Sequence, residues 1–374
     1  MLKNYLKIAF RNLIRHKTFS AINILGLAFG MASSLLIMLW VQDEKAVDRF
    51  HANGKQLFQV YERDLNDGKV QGSYATQGLL AEELKRVIPE VQYASSLDYA
   101  AAPGTLNTFE AGNKVIKESG NYAGADFFSM FSYPLLQGNA KTALSEPGGV
   151  AISRKMAEEF FGSPEQAINK TIRFDNNENL QIKAVFENLP AHASRKFDFL
   201  RSWSDYVKQN DWVHNWGNTS PDTYIQLHKT ADPEKVKAAI KDFIYRYKKK
   251  GNGSFTEELG LQPFPEKYLH STFKNGKPDG GRIEYVHLFT LVAIFILLIA
   301  CINFMNLATA QSARRAKEIG LRKVIGAFRS SLIRQFLGEA MLLTLFSGIL
   351  AVVLAAGLIP AFNNLTGKQL AVPF

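Results

Sequence analysis

Cysteine is nearly absent from this chain. Its 374 residues include a single one, Cys301, which lies within a long apolar run. Disulfide bonds within the chain and paired thiolates for zinc or redox chemistry are therefore excluded. Any folded domain outside the apolar runs has to be held together by its hydrophobic core, which a chain of this length can form.

The motifs of common catalytic sites are also missing. The sequence contains no G-x-x-x-x-G-K-[ST] loop for ATP, no G-x-S-x-G and no H-E-x-x-H. Its seven histidines are dispersed without the spacing of metal ligands. We therefore predict that the chain is not an enzyme, that it holds no cofactor or metal, and that its histidines are ordinary surface or packed residues.

Charged residues are absent from three long stretches, residues 19–41, 286–310 and 340–362. Each stretch is longer than the roughly 20 apolar residues that cross the hydrocarbon of a bilayer. The first ends in Trp40, an interfacial anchor, and is too long for the core of a cleaved signal peptide. We predict an integral membrane protein with spans at 19–41, 286–310 and 336–362.

Basic residues are concentrated in two short segments. Residues 1–18 contain five basic residues and no acid, and residues 311–335 contain seven basic residues and one acid. The rest of the chain is close to neutral, so a nucleic-acid-binding domain is excluded. By the positive-inside rule both segments are cytoplasmic, which places residues 42–285 and the tail 363–374 outside. The first segment is predicted to be an amphipathic helix on the inner leaflet or an inward extension of the first span.

Two similar βαβ units are predicted near the ends of the outer segment. Together they are the components of a ferredoxin-like, porter-like split sheet, and the residues between them, about 100–220, are predicted to be an inserted second subdomain. The resulting fold class is an α-helical membrane bundle with a large α+β extracytoplasmic domain. The predicted strands are 57–63, 91–99, 223–229 and 260–265, and the predicted helices are 76–88 and a helix from Pro233 to about Tyr247 with Asp232 as its N-cap. In the insert we predict helices at 126–131 and from Ser153 to Gly162, and a hairpin with the turn DNNEN.

Small and polar residues recur along one side of each apolar run. Such residues let helix backbones approach closely in lipid, and amides at membrane depth normally face protein. We therefore predict a packed helix bundle, although these stripes could also face lipid by chance. The predicted packing residues are Gly26, Gly30 and Ser34 in the first span, Asn303 and Asn306 in the second, and Gly348, Ala351 and Ala355 in the third.

The basic segment 311–335 contains the stretch ARRAKEIGLRKVIGA, Ala313–Ala327. Retention in the cytoplasm by charge does not require apolar residues, yet this stretch contains Ile319, Leu321, Val324 and Ile325. A short helix with these side chains between cationic flanks is typical of a docking surface for a soluble protein, and a helix lying on lipid would satisfy the same pattern.

This stretch and the following RSSLIRQFLGEAMLL closely resemble the signature of the MacB/FtsX-like ABC transporter permeases. The N-terminal NYLKIAFRNLIRHKTFSAINILGLAFGMA and the pieces GGVAISRKMAEEFFG and FDFL of the outer segment are also similar to that family. The resemblance implies a homodimeric or heterodimeric permease in the membrane lipid of the bacterial inner membrane. It also implies a separate cytoplasmic ATPase, carrying ATP and Mg²⁺, that docks on a coupling helix and drives motion of the outer domain. The coupling residues it implies are Glu318, Ile319, Gly320, Leu321, Arg322, Lys323, Val324, Ile325 and Gly326.

Three questions remain open at this point. A fourth span is expected in the family, and the short segment after Phe362 does not contain one, so we expect a truncated chain or one half of a duplicated permease. A membrane-anchored sensor whose outer domain binds a ligand is the alternative function. Glu339, about one turn into the third span, could anchor the coupling loop or merely extend toward the interface.

Overall fold

The structure, a computed structural model, describes residues 17–102, 104–250, 255–314, 320–321, 324 and 328–371. The chain forms two compact units. One, called here the outer unit, is the segment Ala46–Ile283, and the other, called the membrane unit, combines the two flanking segments. The predicted amphipathic helix at residues 1–18 lies almost wholly outside the described residues.

The two units contain helices of very different length, together with the strands of the sheets. The helices are α1 Lys17–Ala46, α2 Leu80–Val87, α3 Phe127–Met130, α4 Arg154–Phe161, α5 Pro164–Ala167, α6 Trp203–Gln209, α7 Pro233–Ile240, α8 Phe264–Lys267, α9 Arg282–Arg314 and α10 Arg329–Thr366. The strands are β1 Leu57–Asn66, β2 Lys69–Ser73, β3 Ala75–Gln77, β4 Val91–Tyr99, β5 Asn107–Ala111, β6 Lys114–Glu118, β7 Gly120–Ala123, β8 Leu135–Gly138, β9 Gly149–Ser153, β10 Thr171–Phe174, β11 Glu178–Phe186, β12 Phe199–Ser202, β13 Thr219–Leu227, β14 Phe255–Pro263, β15 Phe273–Lys274 and β16 Lys277–Pro278.

Three helices, α1, α9 and α10, are long and apolar enough to cross a membrane. Each is longer than the span predicted from its uncharged run, because polar residues at both ends continue the backbone hydrogen bonding of the helix. The segment between α9 and α10 is correspondingly shorter than the predicted loop 311–335. Helix α10 ends where Gly367 adopts a left-handed conformation with φ of 67° and donates its N–H to the carbonyl of Asn363.

The porter-like part of the outer unit contains the two predicted βαβ units, which are confirmed. Its four principal strands lie in the order β14-β1-β13-β4, and all neighbours are antiparallel. Helix α2 connects β1 to β4, and α7 connects β13 to β14. This is the strand order of a ferredoxin-like split sheet, in which the second and third strands of the four are joined through the insert.

One face of this sheet is covered by the two helices. Apolar side chains at alternate positions of β1, including Phe58 and Val60, pack with Leu80 and Leu84 of α2. Ile240 of α7 belongs to the same buried cluster. The apolar side chains on one face of the strands and on one side of the helices therefore pack together in one core.

Several predicted elements of the porter-like part have different bounds, among them β1, which continues to Asn66, and β13, which covers Thr219–Leu227. The helix predicted at 76–88 begins only at Leu80, because residues 75–77 pair with β13 as a strand. The helix predicted from Pro233 to about Tyr247 ends at Ile240, and residues 243–246 form a separate 3-10 turn. The last strand is longer than predicted, since Phe255–Pro263 pairs along its whole length with β1.

The insert extends the sheet of the porter-like part. From β4 the hydrogen-bonded order continues β7-β12-β9-β11-β10-β5-β6. Helix α4 follows the predicted bounds, since Ser153 accepts a hydrogen bond from the N–H of Met156 and Gly162 ends the helix with φ of 89°. The two subdomains therefore share one continuous sheet.

Candidate coupling site

The small residues of α1 lie against α9. A Cβ atom placed on Gly30 would come within 2.4 Å of the Cβ of Ala300, and one placed on Gly26 would lie 3.4 Å from the Nδ2 of Asn303. The hydroxyl of Ser34 donates a hydrogen bond of 2.9 Å to the carbonyl of Ala293. Positions 26, 30 and 34 of α1 thus form a contact line along which the two backbones approach closely.

Helix α1 packs against α10 through other small residues. Ala28 and Ala32 of α1 form a buried cluster with Ala351 and Ala355 of α10. Gly348 was predicted in the same stripe, yet a Cβ placed there would meet no described atom within 4 Å. The difference arises because alanine methyl groups fill this contact, whereas Gly348 lies beside it.

The two asparagines of the second span have exposed side chains in the single chain. Asn303 touches the glycine side of α1 but remains largely exposed, and Asn306 is exposed as well. Amides at membrane depth are costly to leave in contact with lipid. The face of α9 that carries them is therefore suited to contact with another polypeptide.

An ion-pair cluster joins one end of the bundle. The Nζ of Lys368, just beyond α10, lies 2.8 Å from carboxylate oxygens of both Asp43 and Glu44 at the end of α1. Near it the rings of Trp40 and Phe289 pack edge to face with centroids 5.0 Å apart. The end of α1, the beginning of α9 and the end of α10 consequently lie at the same side of the bundle.

Three of the nine predicted coupling residues lie in the part of the chain that the structure describes. Gly320, Leu321 and Val324 have helical backbone, and the side chains of Leu321 and Val324 are 67% and 88% exposed. Phe328, immediately before α10, is 80% exposed. The other predicted coupling residues lie outside the described residues: Glu318, Ile319, Arg322, Lys323, Ile325 and Gly326. The described ones present an unusual concentration of exposed large apolar side chains between two membrane helices.

A groove separates α9 from α10 close to this segment. Its volume is about 490 Å³, and its lining includes Thr309, Gln311, Ser312 and Glu339 among apolar residues. Glu339 itself is buried, with 9% exposure. Glu339 is thus enclosed beside this groove.

A cluster of carboxylates in the porter-like part had no signal in the sequence. Carboxylate oxygens of Glu62, Asp64 and Glu257 lie within 4.8 Å of one another on the helix-covered face of β1 and β14. The amide of Gln77 donates a 2.6 Å hydrogen bond to Glu62, and Lys248 is 2.6 Å from Glu257. Because alternate positions of two paired strands share a face, only the register of β1 with β14 brings these three acids together.

The pKa of Glu62 is raised to about 8, chiefly by burial and in smaller part by the charges of Asp64 and Glu257, against the lowering effect of the Gln77 hydrogen bond. Burial also raises the pKa of Asp64. The folded protein therefore holds a proton on this cluster at pH values where the unfolded chain has already released it.

The cluster leads to a pH dependence of stability. Because the folded state binds more protons than the unfolded state between about pH 5 and pH 8, the free energy of unfolding should fall as the pH rises through this window. The Glu62→Gln variant should flatten that slope, as measured by denaturant midpoints across the window. Glu258→Gln, on the opposite face of β14 and paired with Arg63, is the matched control and should keep the slope. An unchanged slope in Glu62→Gln would show that this carboxyl does not titrate in the window.

Buried and half-buried charges in the outer unit are the other feature that was missed. Arg201 on β12 is fully buried, and the half-buried Arg195 and Lys267 surround Asp222 of β13. A signal for Arg201 existed, since it is the one charge within the apolar strand FLRS. The partners of these residues are distant in sequence, so their pairing could not be read from local patterns.

Comparison with known proteins places both units in one family. Residues 20–243 match the family model of the MacB-like periplasmic core domain. Residues 290–374 match that of the FtsX-like permease C-terminal region. The first match alone covers more than half of the chain, so the family is shown by sequence and the resemblance noted above is confirmed.

Relatives with assigned functions are similar over nearly the whole chain. The macrolide export ATP-binding/permease protein MacB of Neisseria meningitidis serogroup A is 22% identical over 363 residues, covering 96% of this chain and 53% of that protein. The pyoverdine export ATP-binding/permease protein PvdT of Pseudomonas syringae pv. syringae is 23% identical over 376 residues, covering 94% and 51%. The chain spans about half the length of these relatives.

The fold also has a counterpart among solved structures. The crystal structure of a permease domain from Porphyromonas gingivalis superimposes with a TM-score of 0.50 at 18% identity, covering 64% of this chain and 99% of that one. The membrane helices, the split sheet with its insert and the two family matches agree. The chain is a membrane protein with an extracytoplasmic domain and belongs to the MacB/FtsX-like family of ABC transporter permeases.

Proposed function

We propose that this chain is the membrane-spanning subunit of an ABC transporter that transmits ATP-driven motion to its extracytoplasmic domain. The observation that carries the proposal is the exposed apolar surface of Leu321, Val324 and Phe328 between two membrane helices. A solvated loop gains nothing from such side chains, whereas a surface that docks a soluble protein buries them. The basic residues around them supply charge for orientation of the partner.

The partner is proposed to be a cytoplasmic ABC ATPase on a separate chain. The support for an ATPase is that the relatives are named ATP-binding/permease proteins, so a permease of this kind works with an ATP-binding part. ATP and Mg²⁺ would then be bound by the partner, and the present chain would carry out no chemistry of its own.

The proposed topology follows from the charge pattern. The two basic segments would lie in the cytoplasm and residues 42–285 outside the bacterial inner membrane. The clustering of Lys368 with Asp43 and Glu44 supports it, because it brings together residues that this topology assigns to the same outer side.

A second permease chain is proposed to cover the exposed face of α9. Asn303 and Asn306 would face that chain, identical or related, and the remaining apolar surface would face lipid. The small residues of α1 are already occupied by contacts within the chain, so they are not the surface offered to the second copy.

The transported material is proposed to be handled on the outer side. The relatives are named for macrolide and pyoverdine export. For this chain we propose export, or another extracytoplasmic handling step, of a substrate that engages the outer unit.

The proposal is tested by substituting the docking surface. The double variant Leu321→Asp and Val324→Asp should weaken retention of the copurifying ATPase by at least about tenfold, since buried apolar anchors dominate such interfaces. Charge reversal at Arg322 and Lys323 with Ile325→Asp should have a similar effect. Val115→Asp, at a 62% exposed apolar residue of the insert, is the matched control and should leave retention unchanged. Retention is measured by quantitative pull-down of full-length protein from membranes.

Two results would contradict this function. Equal ATPase retention by the wild-type and both loop variants would mean that the segment is not the docking surface. Copurification of a signalling protein in place of an ATPase, with loss of that protein in the loop variants, would favour the membrane-anchored sensor.

A further inference from the structure

The segment that follows α1 is bonded to a loop of the insert. The N–H of Asp48 donates a 2.9 Å hydrogen bond to the carbonyl of His192, and the Oδ1 of Asp48 accepts one of 2.9 Å from the N–H of Ser194. Asp48 is buried and has a φ of 58°, a conformation uncommon for residues other than glycine. These paired bonds fix the chain direction where the first membrane helix ends.

A second contact holds the same segment. The Nδ1 of His51 accepts a 3.0 Å hydrogen bond from the N–H of Ser132, and the Ser132 hydroxyl accepts one from Ala52. Burial lowers the pKa of His51 to about 4, so its ring is neutral. The ring lies among Phe131, Tyr133 and Phe264, with ring-centroid distances of 5.2 to 5.4 Å.

The segment that leads toward α9 meets the same place. Lys267, at the end of α8, lies 3.6 Å from the Oδ2 of Asp222 and donates a 3.0 Å hydrogen bond to the hydroxyl of Tyr224. Beyond it, the N–H of Ile283 donates to the carbonyl of Leu269. This hydrogen bond connects the first turn of α9 to the residues just after α8.

Asp222 joins these segments. Its Oδ2 also accepts a 2.8 Å hydrogen bond from the Nη1 of Arg195, which belongs to the same insert loop as Ser194. A single carboxylate oxygen on β13 therefore pairs with a cation from the insert and with a cation from the segment before α9. The Arg195 guanidinium lies 4.5 Å from the ring centre of Tyr99, which restricts it further.

The surroundings do not have the form of a substrate pocket. The cavity between Ser194, Arg195 and Lys267 has a volume of only about 30 Å³. That space accommodates on the order of one water molecule. With two cations facing Asp222 and Asp48, the charges are also balanced without a bound ion.

We propose that Asp48, Arg195, Asp222 and Lys267 form a joint that fastens both membrane-adjoining segments of the outer unit, one to the insert loop before β12 and the other to strand β13. Asp48 fastens the segment after α1 to the loop preceding β12, and Lys267 fastens the segment before α9 to β13. A displacement of α1 or of α9 would then be transmitted to the porter-like part and to the insert at the same time. This inference rests on the proposed function for its purpose, but the contacts that define the joint can be tested without an ATPase.

The first test measures hydrogen exchange in the full-length protein in lipid nanodiscs, without partner. Asp222→Asn and Lys267→Met should each raise exchange by at least about tenfold in residues 190–197 and 264–270, because removing one member of this half-buried charge cluster leaves its partners without compensation. Asp48→Asn should raise exchange in residues 190–197. The double variant Asp222→Asn with Lys267→Met should exchange no faster than the single variant with the larger effect. Lys267→Arg should remain close to wild type. Lys241→Met, which breaks the partly exposed pair with Glu258, is the control.

The second test adds the copurified ATPase and ATP. The wild type should show an ATP-dependent change of exchange in β12 and β13. Lys267→Met should retain the ATPase but lose this change, and Lys267→Arg should recover it. A purely structural role of Lys267 would lower protection equally with and without ATP.

The outcomes separate the two proposals. Strictly additive effects of Asp222→Asn and Lys267→Met, or an undiminished ATP response in Lys267→Met, would overturn the joint. If no ATPase copurifies, the proposed function fails, and the partner-free experiment still decides whether the four residues act as one unit.

Discussion

Replacing Gly30 by leucine is expected to separate α1 from α9 and to abolish assembly of the membrane unit. A Cβ atom at this position would already lie 2.4 Å from the Cβ of Ala300, well inside the roughly 3.5 to 4.0 Å contact distance of two carbon atoms. A leucine adds three more carbons, so the backbones have to move apart. The hydrogen bond from Ser34 to Ala293 would be lost as a consequence. The measurement is the fraction of folded protein recovered from membranes by size-exclusion chromatography and its thermal midpoint.

A size-swap experiment makes this expectation specific. Gly30→Ala alone should lower the midpoint, whereas Gly30→Ala with Ala300→Gly should restore most of it, because the clashing methyl group has moved from one helix to the other. Gly348→Leu is the matched control, since a Cβ there meets no described atom within 4 Å. A midpoint for Gly30→Leu equal to that of Gly348→Leu would refute the close approach of α1 and α9.

Replacing Arg201 by methionine should destabilise the insert by about 3 to 5 kcal/mol, the usual cost of removing one partner from a buried ion pair. The Arg201 side chain is fully buried, its Nη2 lies 2.5 Å from Glu178 and 3.4 Å from Asp205, and its Nη1 donates to the hydroxyl of Tyr122. Methionine fills similar space but leaves Asp205, itself buried, without this cation. Denaturant unfolding monitored by tryptophan fluorescence measures the change, because Trp203 is buried two residues away.

Arg173 provides the control for this substitution. It also lies in the insert and pairs with Glu110, but the pair is 3.8 Å apart and its side chains are 51% and 35% exposed. Arg173→Met should therefore cost at most about 1 kcal/mol. Equal effects of the two substitutions would mean that burial does not determine the contribution of Arg201.

Sequence reasoning was most successful where local chemistry decides the structure. The bounds of α4 follow from a serine cap and a glycine stop at Ser153 and Gly162, and the membrane helices follow from uncharged runs. The start of the helix before Pro89 was misplaced because residues 75–77 satisfy their backbone by pairing with β13, a partner far away in sequence. Local propensity carries no information about such pairing.

The candidate sites were predictable to different degrees. The contact line through Gly26, Gly30 and Ser34 was visible as a small-residue stripe, but which helix it would touch was not. The half-buried charges around Asp222 were invisible, because Arg195 and Lys267 reach it from segments on either side of it in the chain. A single sequence shows residue types and spacing, whereas such clusters depend on which strands become neighbours.

The ion pairs of Lys368 have a consequence for biosynthesis. Asp43 and Glu44 are made early, directly after the first membrane helix, while Lys368 is added only after α10 has been synthesised. At about 5 to 20 residues per second, the two carboxylates wait on the order of tens of seconds for this cation. During that time α1 can insert, but the end of the bundle cannot close. We therefore infer that the final packing of the membrane unit is a late event, completed after the outer unit has already been exported and has had time to fold.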